Sequence, residues 1–253
     1  MRINGNTIFI PGATSGIGLA LALALKDKGN TVIVGGRRTA LLQEIKAEYD
    51  IDGIEIDTTS ADSINAAAQA VIAAHPDVNI LVTMAGIMRV EDWTAGEFLA
   101  TAEATVNTNL LGPIRLIAAF LPQLRSRPDS TIITVSSGLA FAPLKPTPSY
   151  NATKAAIHML SETLRLQLAG TSVKVTELEP PAVATDLMPG QRESAFAMPL
   201  EEFIAEVVSL IETQPDATEI QVERVKFLRY GEARGDYDQV VATLNQLDPH
   251  GKK

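Results

Sequence analysis

The chain has 253 residues, 46% of them hydrophobic and only 5% aromatic, with no cysteine and a formal net charge of −9. No Gly/Ser run, proline cluster or charge block divides it, so one domain over 1–253 with an aliphatic, alanine-rich core is expected. The charge excludes the basic footprint of a nucleic-acid binder. The missing cysteines exclude disulfides, thiolate catalysis and zinc–cysteine sites, and they permit a reducing cytoplasm.

Residues 1–12 lack the long apolar stretch and cleavage site of a secretory signal. No uncharged apolar run of about 18 residues exists, so no membrane span and a cytoplasmic location are expected. The first predicted strand is 6–10, followed by a helix over 16–28 that Gly29 stops. A strand at 31–34 leads to an amphipathic helix at 39–48. A strand at 54–56 leads to a helix at 60–74 opened by a capping serine. Then come a strand at 79–82 and a long helical stretch at 94–124, interrupted at Gly112 and Pro113. A strand at 130–135, a helix at 148–168, a strand at 173–178 and a helix at 201–211 complete the alternation, with a weak last strand near 220–222. Most strands are unbroken apolar runs, as in a parallel sheet covered on both faces. The expected fold class is α/β: a Rossmann-like, doubly wound parallel sheet of about seven strands with helices on both faces. The half 1–135 would mainly bind cofactor. The half 136–253 would carry the catalytic helix, a substrate lid and the C-terminal segment.

In such folds the ligand lies beyond the carboxyl ends of the strands. The first strand runs into Gly12-Ala13-Thr14-Ser15-Gly16-Ile17-Gly18, which opens a helix. Glycine lets the backbone approach a pyrophosphate, and the helix N-terminus offers unpaired N–H groups and a positive dipole end. The second strand ends in Gly35-Gly36-Arg37-Arg38, with no carboxylate for the ribose hydroxyls that NAD would present. Gly36 leaves room and Arg37 offers a guanidinium to a 2′-phosphate, so NADP(H) is the expected cofactor. The same absence disfavours a methyltransferase. The competing reading of Arg37 and Arg38 is a solvated basic pair at a helix start. Asp57, ending the third strand, can accept from the adenine amino group with Thr58 contributing backbone, or can cap the next helix.

Hydride chemistry at a carbonyl needs a proton donor for the forming alkoxide. Tyr150 and Lys154 are four residues apart at a helix start and share one face. A nearby cation lowers a phenol's pKa, and Lys154 can also reach the nicotinamide ribose. The Tyr-x3-Lys spacing alone arises often by composition, so position must carry the argument. Ser137 closes the fifth strand, where its hydroxyl can hold a substrate oxygen beside Tyr150.

On these residues the chain resembles the short-chain dehydrogenase/reductase family over roughly 5–190. The family's Thr-Gly-x3-Gly-x-Gly is Pro11-Gly12-Ala13-Thr14-Ser15-Gly16-Ile17-Gly18 here. Its serine stands thirteen residues before its tyrosine, as Ser137 does before Tyr150. Its Asn-x2-Gly matches Asn109 to Gly112, and the resemblance implies that Asn109 holds a water relaying protons to Lys154. Its Asn-Asn-Ala-Gly is Thr83-Met84-Ala85-Gly86, losing both asparagines but keeping backbone contacts to a ribose at Ala85 and Gly86. Its Pro-Gly-x-Val-x-Thr is Pro180-Pro181-Ala182-Val183-Ala184-Thr185, with Val183 facing the carboxamide through its backbone and Thr185 adding a hydroxyl. These variants, with Ile87-Met88-Arg89, are similar to the DltE-type subgroup.

The resemblance implies a mobile lid over 186–200. Its apolar Met188 and Phe196, with Met88, Leu139 and Phe141, would line a pocket for a hydrophobic, uncharged ketone or aldehyde. The alternative is that these are ordinary packing residues. His75, His158 and His250 do not cluster in sequence, so no metal is expected. The family often forms oligomers, and the helix 155–168 is apolar on several faces, which fits burial by a partner in a homodimer or homotetramer and equally burial under the sheet. The expected activity is NADP(H)-dependent interconversion of a small-molecule carbonyl and alcohol. A non-catalytic NADP-binding redox sensor on the same fold is the alternative, although a sensor has no need to keep Ser137, Tyr150, Lys154 and Asn109 together.

Overall fold

Consecutive residues of the central strands point to opposite faces, and both faces are buried. In the computed structural model Ile8 and Ile10 join one core while Phe9 joins the other. The same split separates Val32 and Val34 from Ile33, and Ile80 and Val82 from Leu81. A strand buried on both faces must be apolar throughout, which is why these segments read as unbroken runs. The structure describes residues 1–246; residues 247–253, and with them His250, lie outside the described residues.

Seven parallel strands form one sheet in the order β3-β2-β1-β4-β5-β6-β7. They are β1 (Thr7–Pro11), β2 (Thr31–Gly36), β3 (Asp52–Glu55), β4 (Ile80–Thr83), β5 (Ser130–Val135), β6 (Val173–Leu178) and β7 (Glu219–Ile220). Helices α1 (Gly16–Asp27), α2 (Thr39–Tyr49) and α7 (Leu200–Thr213) contribute Leu21, Leu42 and Phe203 to one face's core. Helices α3 (Ala61–Ala74), α5 (Gly112–Ser126) and α6 (Pro148–Leu168) cover the other, where Phe120 stacks on Phe9 at 5.2 Å. Between β1 and β4 the strand order reverses, which opens a crevice at their carboxyl ends.

Several boundaries differ from expectation for identifiable reasons. The long helix begins at Leu99, as α4 (Leu99–Val106), because Thr94 closes a turn on Asp92 through its N–H and hydroxyl. It is not broken at Gly112 and Pro113. Proline is tolerated in the first turn of α5, and the irregularity is a π turn just before it, Asn107–Leu111. The stretch Leu99–Ser126 is long and apolar enough, by length and composition, to cross a membrane. It carries Glu103, Arg115 and Arg125, and its Leu116, Ile117, Phe120 and Leu124 pack under the sheet, as in a core helix. The last strand ends at Ile220, and Val222 starts a 3-10 turn instead. Three short helices follow: α8 (Lys226–Arg229), α9 (Gly231–Arg234) and α10 (Tyr237–Gln246).

Candidate active site

The crevice holds a cavity of about 870 Å³. One end is the turn after β1. Gly12 and Gly16 have φ of +87° and +57°, the left-handed region that favours glycine. A Cβ on Gly12 would lie 2.6 Å from the Ala85 Cα, and one on Gly18 would lie 2.7 Å from the Gly12 carbonyl oxygen. Ser15, which precedes α1, makes no side-chain cap, so the first N–H groups of α1 face the cavity without a side-chain partner. Thr14, Ser15, Gly16, Ile17 and Gly18 all line it.

The second strand's end is arranged differently from expectation. A Cβ on Gly36 would lie 2.5 Å from Thr14 Cγ2, so the glycine makes room first for the turn itself. Arg38, not Arg37, reaches back across it: its Nη2 donates to Thr14 Oγ1 at 2.6 Å and Ser15 Oγ at 3.0 Å. Both arginines are exposed and line the cavity. Asp57 is not the cap of α3, a place taken by Ser60, which accepts from Ser63 N. Asp57 Oδ1 instead accepts from the N–H and hydroxyl of Thr59, at 2.9 and 2.7 Å. Those bonds hold its carboxyl below the usual carboxylate range. Thr58 is buried beside it in the cavity wall.

The other end gathers Ser137, Tyr150 and Lys154, which are 6%, 6% and 5% exposed. Burial pushes the Tyr150 phenol up to about 12, against a hydrogen bond from Ser137 that pulls it down. The Lys154 ammonium donates to Val135 O at 2.8 Å and stands 5.4 Å from the centre of the Tyr150 ring. Burial lowers Lys154 to about 8, opposed by the charge of Glu177. The depressed tyrosine expected beside a lysine is therefore not what these contacts give: desolvation outweighs the Ser137 hydrogen bond, and a phenol so raised keeps its proton at neutral pH. Ser137 Oγ accepts from Leu139 N at 3.1 Å and lies 3.5 Å from Pro180 O.

Asn109 lies in the π turn and is 1% exposed. Its Oδ1 accepts from Ile87 N, and its Nδ2 donates to Ile87 O, both at 2.8 Å, with Thr153 Oγ1 at 3.4 Å. It is a backbone clamp on the loop after β4, which holds Ala85 and Gly86 at the cavity. A Cβ on Gly86 would lie 3.4 Å from Asn109 Oδ1 and 3.9 Å from Lys154 Nζ. Pro180, Val183 and Thr185 form the facing wall. Val183 O accepts from Gln191 Nε2 at 2.7 Å, a contact from the 186–200 segment that the sequence did not suggest.

Of the expected substrate residues, Met88 lines the cavity, and Met88, Met188 and Leu139 pack around Tyr150 with Leu144. Phe141 and Phe196 are not brought there. Phe141 turns away to lie edge-on to His158 at 4.7 Å and under Arg229 at 4.3 Å. Phe196 is half exposed and does not line the cavity. Met84, Ile87 and Leu187 supply apolar wall in their place, beside the polar Asn107, Thr108 and Arg89.

A glycine cradle at the switch point of a parallel sheet, joined through one cavity to a buried Ser–Tyr–Lys group, fits a dinucleotide. The sequence profile of the short chain dehydrogenases matches residues 6–195. The chain belongs to that family and is an oxidoreductase of it. It is 37% identical to the uncharacterised oxidoreductase DltE of Bacillus subtilis over 251 residues, 97% of this chain and 98% of that one. A short chain dehydrogenase from Burkholderia cenocepacia, solved in complex with NADP, superposes with a TM-score of 0.82 at 26% identity, covering 96% of this chain and 99% of that one. Serine dehydrogenase from Escherichia coli gives 0.71 at 26% identity, covering 85% and 96%.

The Gly12 contact yields a direct test. Gly12→Ala combines a forbidden φ with a backbone clash, so dinucleotide affinity measured by calorimetry should fall at least tenfold. Unchanged affinity would remove the turn from the binding site.

Proposed function

We propose that the protein interconverts a hydrophobic ketone or aldehyde and its alcohol, using NADP(H), with Tyr150 as the acid and base. The observation that carries this reading is the single cavity joining the Gly12–Gly18 turn to the buried hydroxyls of Ser137 and Tyr150. When bound, the dinucleotide supplies the hydride donor or acceptor. The Gly12–Gly18 turn and the α1 N-terminus would hold its phosphates, and Ala85, Gly86 and the Val183–Thr185 wall would take the far ribose and carboxamide. Ser137 Oγ donates to the substrate oxygen and keeps it beside Tyr150. Tyr150, protonated at neutral pH, gives its proton to that oxygen as the alkoxide forms. Lys154 places a positive charge behind the phenol and stabilises the phenolate left there. The Met84, Ile87, Met88 and Leu187 side chains offer an apolar surface to the rest of the substrate, which supports an uncharged carbonyl compound.

An initial-rate screen of apolar ketones and hydroxy acids with NADPH and NADH tests the assignment. Apolar ketones should turn over faster, and Tyr150→Phe should lose at least a hundredfold in kcat with cofactor affinity within about threefold. Binding without turnover across the panel would instead favour a dinucleotide sensor. Preference for NADP(H) rests on Arg37 and Arg38 at the end of β2. Replacing either with alanine should raise the KM for NADPH about tenfold or more, the loss of a charge-assisted hydrogen bond, and leave that for NADH nearly unchanged. Equal effects on both cofactors would refute the phosphate role.

The assembly we propose is a homodimer or homotetramer. Val106, Leu111 and Ile114 of the α4–α5 stretch, and Met159 and Leu166 of α6, are 38–79% exposed. A second copy of this chain would bury these apolar side chains. Light scattering should give twice or four times the chain mass, reduced by Met159→Glu with Leu166→Glu. A monomeric wild type would overturn the assembly.

A further inference from the structure

Behind the carbonyl site lies an internal assembly of charge that the proposed reaction leaves without a role. Side chains alternate along β6, and Val173 and Val175 face the α6 side, so Glu177 and then Glu179 face it too. Both glutamates are fully buried. His158 Nδ1 lies 2.9 and 3.1 Å from the two Glu177 oxygens, and Arg165 Nη2 donates to Oε2 at 3.4 Å. Glu179 accepts from Gln221 at 3.1 Å and faces Arg229 Nε at 3.6 Å. Glu219 on β7 pairs with Arg229 at 3.2 Å.

His158, Glu177, Glu179 and Glu219 offer ligand atoms within 4.8 Å of one another, a spacing a metal ion can bridge. The guanidinium groups of Arg165 and Arg229 already engage all three carboxylates, and a metal would have to displace them. The assembly is therefore an arrangement of protein charge with two fully buried carboxylates, Glu177 and Glu179, at its centre.

Its position gives it a use. Lys154 precedes His158 by one turn of α6, on the same face. The Lys154 ammonium is anchored on Val135 O, and in the β5–β6 register Val135 pairs with Leu178 and Thr134 with Glu177. Glu177 thus stands one strand and one residue from that anchor, roughly 6 Å between main chains. A charge at that range, with little water between, acts strongly on a desolvated ammonium. We propose that Glu177 is a positioning residue for the reaction: its buried carboxylate, fixed by His158 and Arg165, keeps Lys154 in its ammonium form behind Tyr150. This rests on the role given to Lys154 above.

The surrounding groups leave that task to Glu177. From α6, Tyr150, His158, Glu162 and Arg165 face the region. From β6 come Glu177 and Glu179, from β7 Glu219, and from α8 and its end Arg229 and Tyr230. Burial, with Glu177 and Glu219 beside it, drives the Glu179 carboxyl up toward its protonated form. Glu219 is matched by Arg229. The hydrogen bond to Glu177 raises His158, favouring an imidazolium against the carboxylate. Glu177 is the carboxylate whose field opposes the loss of the Lys154 proton.

The test follows the Lys154 side chain directly. Its 13Cε resonance, assigned by its loss in Lys154→Met, is titrated in the full-length protein with and without NADP+. Glu177→Gln keeps the shape and removes the charge. The Lys154 midpoint should fall by about one unit, a tenfold loss of proton affinity. The alkaline limb of kcat/KM for carbonyl reduction should move down with it, with kcat near normal at pH 6. His158→Gln keeps the carboxylate, so its midpoint should stay at or above that of the wild type. Should Glu177→Gln not fold, Arg165→Gln removes a facing cation and should raise the midpoint. An unmoved midpoint in Glu177→Gln, or a fall in His158→Gln or Arg165→Gln, overturns the positioning role whether or not turnover is present. Absence of carbonyl turnover in the wild type overturns the reading on which it rests.

Discussion

Two loops touch at the point where the sheet reverses its strand order, and the contact leaves no room for a side chain. The turn after β1 passes Ala85, after β4, so closely that any residue but glycine at position 12 would put its Cβ inside the neighbouring backbone. Gly18 repeats the constraint within the same turn, against the Gly12 carbonyl. Gly36 meets it from the second strand, against Thr14. These three approaches bring β1, β2 and β4 to one crevice with their backbone groups toward it. The parallel sheet sets the direction of approach, and its two buried faces leave the strand ends as the place for chemistry. Arg38, bonded to Thr14 and Ser15, ties the charged end of β2 to the same turn.

At the far end of the cavity the governing effect is desolvation. Tyr150 and Lys154 are buried, and burial drives their pKa values toward neutrality of each group: up for the phenol, down for the ammonium. The phenol, so raised, keeps its proton at neutral pH. That state suits the reduction proposed above, where a proton is given up as the alkoxide forms and the Lys154 ammonium stands behind the phenolate charge. A surface tyrosine and lysine at the same spacing would be freely hydrated and would gain nothing from the fold. The pair depends on α6 lying against β5 and β6, and so on the buried residues of that helix face, Ile157 and Ser161 among them.

The fold was legible because its signals are repetitive. Ile8-Phe9-Ile10, Val32-Ile33-Val34 and Ile80-Leu81-Val82 each declare a strand covered twice, and all seven strands were found. The glycines at 12, 16 and 18, and the set Ser137, Tyr150 and Lys154, lie at the cavity's two ends. What failed to show was direction. Nothing in Leu139-Ala140-Phe141 tells which of Leu139 and Phe141 will face Tyr150. The 3-10 turn Gly138–Ala140 sends Phe141 to His158 and Arg229. Adjacent Arg37 and Arg38 were equally hard to separate, because the choice between them is made by Thr14 and Ser15, more than twenty residues away in sequence. The Glu177 assembly was invisible for the same reason. His158, Arg165, Glu177, Glu219 and Arg229 are scattered over four elements and share no spacing that marks them.

The departures from the family pattern find their explanation in this geometry. The loop after β4 has lost the asparagines that would brace it: Met84 has no polar side chain to offer, and the buried Thr83 hydroxyl finds no hydrogen-bond partner among the described residues. Support comes from the buried Asn109, which takes both the N–H and the carbonyl of Ile87 and so fixes the chain one residue beyond Gly86. For that it must project from α4–α5 at a particular angle, and the π turn Asn107–Leu111 supplies the extra residue that re-aims it. Met84 meanwhile packs against Gly18, filling apolar space at the base of the turn. After β6, Pro181 stands where the pattern has glycine. The preceding Pro180 carbonyl accepts from Gly138 N and lies within reach of Ser137 Oγ. A stiff proline pair there fixes the carbonyl that orients the serine. Rigidity around the cavity thus comes from neighbouring elements: Asn109 on the loop after β4, and the proline pair beside Ser137.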